Sequence, residues 1–153
     1  MQVTIVDFPE TRVAALELVG PPAVQHDTAR RFIAWRIANG LSPERHRTFG
    51  IHYTDPRVTP AHEDRMDICV SVENSITPND CGIVEKVIPG GRCAVARHVG
   101  SRDRVIAAEY LCDVWLPASG ERLRDFPIYF HYVNIGPAVK DAEMITDVYL
   151  PLR

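Results

Sequence analysis

Apolar and polar residues follow two periods along the chain, and the period changes at glycines and prolines. Residues 3–6 form a short β-prone run stopped by Pro9, and residues 12–19 form a second, closed by Gly20-Pro21-Pro22. From about residue 25 to residue 39 the spacing becomes helical. Ala29, Phe32, Ile33 and Ile37 recur at three- and four-residue steps, Asp27 stands near the start, and Gly40 offers a C-terminal stop. The strand period returns for residues 49–53, turned by Thr54-Asp55-Pro56, and again for residues 68–72.

The same order then recurs. Residues 83–88 read as a strand, Pro89-Gly90-Gly91 as a tight turn, and residues 92–99 as the partner strand. Gly100-Ser101 opens a helix with Ser101 as N-cap and Asp103 in the first turn, where a carboxylate complements the positive end of the dipole. Val105, Ala108, Cys112 and Trp115 supply its apolar stripe, and Pro117, lacking the N–H of the next helical hydrogen bond, ends it. Residues 128–133 and 146–152 are the last two strands. Each half predicts strand-strand-helix-strand-strand, an α+β fold.

The likeness of the halves extends to identities. Trp35, Ala38 and Gly40 recur as Trp115, Ala118 and Gly120, eighty positions further on. At that offset Pro9 meets Pro89, Arg12 meets Arg92, Ala14 meets Ala94, Val19-Gly20 meets Val99-Gly100, Glu63 meets Glu143 and Asp67 meets Asp147. Tryptophan, glycine and proline among these govern packing and backbone direction. The chain reads as one domain, residues 1–153, built from pseudo-repeats 1–73 and 81–153. Two like halves form a pseudo-twofold cleft, a natural ligand site.

Composition narrows the class. A chain of 153 residues buries a core without staples, and 46% hydrophobic with 24% charged residues is ordinary for a folded protein. A net charge of −3 argues against direct nucleic-acid binding, and the one basic cluster, Arg45-His46-Arg47, follows Glu44 and reads as a solvated loop. Cys69, Cys81, Cys93 and Cys112 are spaced by 12, 12 and 19 residues with no Cys-x-x-Cys, so Cys69, Cys93 and Cys112 read as small buried hydrophobes. His26, His46, His52, His62, His98 and His131 form no i, i+4 pair with a carboxylate at ligand spacing, and no metal or other cofactor is expected. Ser119 lies in Ala-Ser-Gly and has no assignable base. The N-terminus lacks the basic start and apolar core of a signal peptide, and no apolar run reaches membrane-spanning length. A cytoplasmic protein with reduced thiols, making no contact with membranes, is the expectation.

Several segments together resemble one family. They are Gly91-Arg92-Cys93-Ala94-Val95-Ala96-Arg97-His98-Val99-Gly100, Trp115-Leu116-Pro117-Ala118-Ser119-Gly120, Asp125-Phe126-Pro127 before an aromatic strand, and Thr146-Asp147-Val148-Tyr149-Leu150-Pro151-Leu152. With Gly50-Ile51-His52-Tyr53-Thr54-Asp55-Pro56 and Met66-Asp67-Ile68, they are similar to the GyrI-like small-molecule-binding domain, the bacterial effector-binding domain also fused to AraC- and MerR-type activators. The resemblance implies two curved antiparallel sheets around a central groove, with two helices packed outside. It implies drug-like, often aromatic and often cationic ligands. The family commonly places a glutamate two residues before a tyrosine on the strand after the proline, where it pairs with a ligand cation or serves hydrolysis. Here that position is Phe130. Phe130 removes both roles and points to a neutral or aromatic ligand held by stacking.

Alternation puts Ile128, Phe130 and Tyr132 on one strand face, so Phe130 and Tyr132 either line the groove or Phe130 fills it as core. The positions eighty residues earlier are Gly50 and His52, and Gly50 opposite Phe130 leaves room for a ring. His52 is the candidate polar group; Trp115 and Trp35 either pack the core or touch ligand, and Tyr53 and Tyr110 carry phenols that reach a ligand or water. The leading reading is a stand-alone binder of small aromatic molecules without catalysis. One alternative is a gyrase-inhibitor-like or other regulatory protein-interaction module. Another is a hydrolase of strained electrophilic toxins that uses water positioned by Tyr132 or His52.

Overall fold

The computed structural model describes residues 1–153, which form two compact units: Thr11–Ile88, and Met1–Glu10 together with Pro89–Arg153. In chain order the strands are β1 (Thr4–Phe8), β2 (Thr11–Val19), β3 (Thr48–His52), β4 (Arg65–Ser71), β5 (Val84–Ile88), β6 (Gly91–Val99), β7 (Tyr129–Tyr132) and β8 (Ile145–Pro151). The helices are α1 (Pro22–Ala38), α2 (Ile106–Tyr110) and α3 (Leu116–Ser119), with a π-helical turn, Leu111–Trp115, joining the last two. The α+β class and the strand-strand-helix-strand-strand order hold as expected.

Each unit is a four-stranded antiparallel sheet covered by helix on one face. The contiguous unit has the order β5-β2-β4-β3 and the two-segment unit β1-β6-β8-β7. The registers recur at an offset of eighty: Val13 opposes Ser71 as Cys93 opposes Pro151, and Phe49 opposes Cys69 as Tyr129 opposes Tyr149. The outermost pairings recur with the strands exchanged. Ile88 of β5 opposes Thr11 of β2, and Phe8 of β1 opposes Gly91 of β6. The turn before β6 demands glycine at position 90, because a Cβ there would stand 2.9 Å from the Glu10 backbone nitrogen. No helix is long and apolar enough to cross a membrane.

Helix α1 starts earlier than its apolar period suggests. Pro21 is at the N-cap and Pro22 at the first helical position, where a fixed φ and a missing N–H cost nothing. Asp27 lies within the helix, bonded to Arg30 at 3.0 Å, and caps nothing. The inward residues are Phe32 and Arg36, while Ile33 and Ile37 are 49% and 75% exposed. The expected stripe is thus rotated by one residue. An arginine takes the inward place because three oxygens receive it: Leu41 O at 2.6 Å, Thr48 Oγ1 at 2.6 Å and His46 O at 2.9 Å. A buried cation is tolerated when its hydrogen bonds are met.

The second helix departs further. Ser101 is no N-cap: its Oγ accepts from the Asp103 N–H at 3.2 Å in the preceding turn, its carbonyl meets the His98 ring nitrogen at 2.9 Å, and helix begins only at Ile106. Arg102 explains the delay. Its side chain is tied to Thr146 Oγ1, Asn134 O and Ile145 O, fastening this segment to β8 rather than to the helix. Pro117 does not end the helix either. It falls in the first turn of α3, and the chain stops at Gly120, whose φ of 75° is left-handed. The π turn immediately before Pro117 loosens the ladder where the proline cannot donate, so the helix continues through it.

The helix-side core of the contiguous unit gathers Ala14, Leu16, Phe32, Val70 and Ile83, with Trp35 packed against them. That of the two-segment unit gathers Ala94, Ala96, Ala107, Leu111, Phe130, Val148, Leu150 and Leu152. On the opposite face of the latter sheet, Tyr129 is fully buried, stacked on Tyr149 at 5.1 Å with Phe8 edge-on at 5.2 Å. Its hydroxyl lies 3.4 Å from Cys93 Sγ. Cys69 and Cys93 are buried as expected, whereas Cys112 is only half-buried because it sits on the flank of the π turn.

Candidate ligand site

Strand alternation sorts the candidate residues by face. In the two-segment unit Phe130 and Tyr132 both face the helix, their rings edge to face at 6.4 Å, and Trp115 and Tyr132 pack against the same cluster. Phe130 is 8% exposed and sits within that core, while Tyr132 is half-buried. Tyr110, also half-buried, is the last residue of α2. In the contiguous unit Gly50 and His52 lie on the helix side of β3, and Trp35 stacks on Phe32 at 6.2 Å on the same side. Thus the residues divide into two groups: Phe130, Tyr132 and Trp115 in one unit, and Gly50, His52 and Trp35 in the other.

Tyr53 falls outside both groups. One residue past β3, its phenol reaches the opposite face and donates to Asp67 Oδ2 at 2.6 Å. Lys86 Nζ donates to the same oxygen at 2.6 Å. Asp67 is wholly buried, and its Oδ1 meets no hydrogen-bond partner. Burial, reinforced by the hydrogen bond and charge of Asp67 and opposed by Lys86, pushes the Tyr53 phenol up to about 12. Burial alone would lower the Lys86 ammonium, but the hydrogen bond and charge of Asp67 outweigh it and leave it raised. Burial, with the charge of Asp67, drives the Cys69 thiol far above its ordinary range and makes it inert. This is a structural ion pair with no free nucleophile.

His52 is enclosed, and burial pushes its imidazole down to about 4, with Asp64 opposing. It is neutral at pH 7. The lowered value has a consequence for stability. The unfolded histidine titrates near 6.5, so the contribution is whole above that pH and is lost as pH falls from about 6.5 to about 4. The expected loss is on the order of 2–3 kcal/mol, read as a falling urea midpoint between pH 7.5 and 4.5. His52→Gln should lose less over that range; parallel curves for the two proteins would contradict a neutral, enclosed imidazole.

Carboxylates on the helix side are confined to the outer strands, where Asp7 of β1 opposes Arg92 and Glu85 of β5 opposes Ala14. On β2, β3, β4, β6, β7 and β8 the helix-facing positions hold no Asp or Glu; Asp67, Glu17 and Asp147 all point the other way. Asp147 is held there by a bidentate pair with Arg97 at 2.8 and 3.0 Å. Two guanidinium groups instead approach the helix side, both missed in the sequence reading: Arg36 on Thr48, and Arg102 on Thr146, over the Tyr132 ring at 5.0 Å. Burial lowers the affinity of each for its proton, though arginine keeps its charge.

The GyrI-like small molecule binding domain matches residues 1–153. The chain belongs to the GyrI-like family. This GyrI-like chain is 42% identical to the "Probable transcriptional regulator YgiV" of Escherichia coli K12, covering 99% of this chain and 96% of that protein. It is 28% identical to a "DNA gyrase inhibitor" of Erwinia billingiae, covering 99% and 97%. Its fold is similar to the EcmrR C-terminal domain, with a TM-score of 0.79 at 19% identity over 99% of this chain and 97% of that one. Against EcmrR in its DNA complex the TM-score is 0.78, and the GyrI-like chain spans 57% of that longer chain. It is thus a small-molecule-binding domain by family.

Proposed function

We propose that this GyrI-like domain is a cytoplasmic binder of aromatic or lipophilic small molecules that it does not transform. The observation carrying the reading is the ring-rich helix side around Phe130 and Tyr132, whose strands β7 and β8 hold no helix-facing carboxylate. A ligand there would gain roughly 25 cal/mol per Å² of apolar surface withdrawn from water, set against the cost of ordering it. The Tyr132 phenol would orient it, and Trp115, packed against the same cluster, would report its arrival. Regulation of another protein by the bound state is consistent with the name of the YgiV relative.

Quenching of the tryptophan fluorescence by neutral polycyclic aromatics, with a thermal shift in parallel, tests this. Such compounds should bind and raise Tm, and Tyr132→Ala should weaken them roughly tenfold. Absence of quenching and of any shift across the panel, or full affinity in Tyr132→Ala, would refute the reading. The second reading, a gyrase-directed protein contact, is favoured by the name of the 28% identical relative. Supercoiling inhibited equally with and without saturating aromatic compound would support that reading instead.

A further inference from the structure

Resting on the ligand-binding reading above, we infer that the preferred ligand is an aromatic acid, whose carboxylate meets Arg102 while its ring system lies against Tyr132. Arg102 is half-buried and bound only by neutral oxygens: Nε donates to Thr146 Oγ1 at 2.8 Å, and Nη2 donates to Asn134 O at 2.9 Å and Ile145 O at 2.8 Å, with Asn134 Oδ1 at 3.4 Å. No carboxylate pairs with it, and its Nη1 is used in none of these bonds. Arg36 is likewise held by neutral oxygens, but three arginines more exposed than these are not. Arg92, Arg97 and Arg104 each take a glutamate or aspartate at 3.1 Å or less.

The bonds to Nε and Nη2 fix the plane of the guanidinium and hold it 5.0 Å from the Tyr132 ring centroid. A fixed, half-desolvated cation with spare donors is the arrangement that recognises a carboxylate, and charge-assisted bonds of this kind are about twice as strong as neutral ones. The adjoining Phe130–Tyr132 pair supplies an apolar wall for the ring that bears the acid. The site's other surroundings agree. The helix-facing positions of β7 and β8 are Phe130, Tyr132, Thr146, Val148 and Leu150, none of which repels an anion; on the same face β6 carries His98 and Arg92, and β1 carries Asp7 across from Arg92. A cationic ligand would face Arg102 with nothing to neutralise it.

The probes are 2-naphthoate, 2-naphthamide and 2-naphthylmethylammonium, which share one ring system and differ in charge, titrated calorimetrically into the full chain at low and high salt. Naphthoate should bind roughly tenfold or more tighter than the amide, the ammonium compound weakest, and the advantage of the acid should shrink as salt is raised. Arg102→Gln should abolish the difference between acid and amide; Arg102→Lys, which keeps the charge without the fork, should retain part of it. Equal binding of acid and amide by the unmodified protein, or an acid preference intact in Arg102→Gln, overturns the inference while leaving the aromatic-binding reading standing. Failure of all three probes to bind overturns that reading itself. Should Arg102→Gln not fold, the salt dependence of the acid relative to the amide in the unmodified protein decides the matter alone.

Discussion

Replacing Lys86 with methionine is expected to destabilise the protein by about 3 kcal/mol at pH 8, the lower end of the range for breaking a buried ion pair. The lower end applies because Lys86 keeps 36% of its side chain exposed, so its own attraction is partly screened. The loss comes from the other partner. Asp67 is wholly buried, its Oδ1 already lacks a hydrogen bond, and without Lys86 its Oδ2 retains only the Tyr53 hydroxyl. A carboxylate so placed is desolvated and has no counter-charge, and that is the source of the cost. Adding Asp67→Leu should restore most of the loss, since a hydrophobic pair replaces an orphaned charge. Urea midpoints of the parent, single and double variants at pH 8 are the measurement. A Lys86→Met protein as stable as the parent at pH 8 would show that Asp67 does not depend on the ammonium.

Phe130 gives the other large effect. Truncation to alanine removes a ring that is 8% exposed and packed among Ala96, Leu111, Val148 and Leu150, and should cost about 3–4 kcal/mol. Phe130→Glu tests the position's chemistry as well. A glutamate there meets apolar neighbours and is held protonated by desolvation, so this variant should lose stability as pH rises toward 8. It should also acquire affinity for tetraphenylphosphonium that strengthens from pH 6 to pH 8, because the cation pulls the carboxyl into its ionised form. The parent should bind that cation weakly at both pH values. A Phe130→Glu protein with parental stability at pH 8 and no gain for the cation would mean that side chain 130 is solvated and remote from ligand.

Much of this architecture could be read from period and punctuation. All eight strands fall within about three residues of the expected bounds, because half-buried strands alternate and their turns carry Gly, Pro, Asn or Asp. What escaped was decided by polar groups finding distant partners. Arg36 and Arg102 look like surface residues in any local window; they are drawn inward by Thr48 and Thr146, which lie 12 and 44 positions away. Ile33 and Ile37 have the right spacing for a buried stripe but yield it to Phe32 and Arg36. Asp67 did leave a trace, its match with Asp147 at the repeat offset, but the cation differs: Lys86 on β5 for one, Arg97 on β6 for the other. No periodicity encodes such a choice. For the site, the aromatic character and the missing glutamate were legible at Phe130, whereas the cation beside Tyr132 required coordinates.

The assignment of β1 to the same unit as residues 89–153 sets a timetable for synthesis. Residues 11–88 are contiguous and can complete their sheet while translation continues. Residues 1–10, made before residues 11–88, wait on the nascent chain until β6 has emerged to receive them. A waiting strand is an invitation to pair wrongly, and Asp7 and Glu10 at its far end supply the charge that discourages this. Removing residues 1–10 would therefore injure residues 89–153, made later, and spare the portion that directly follows the cut.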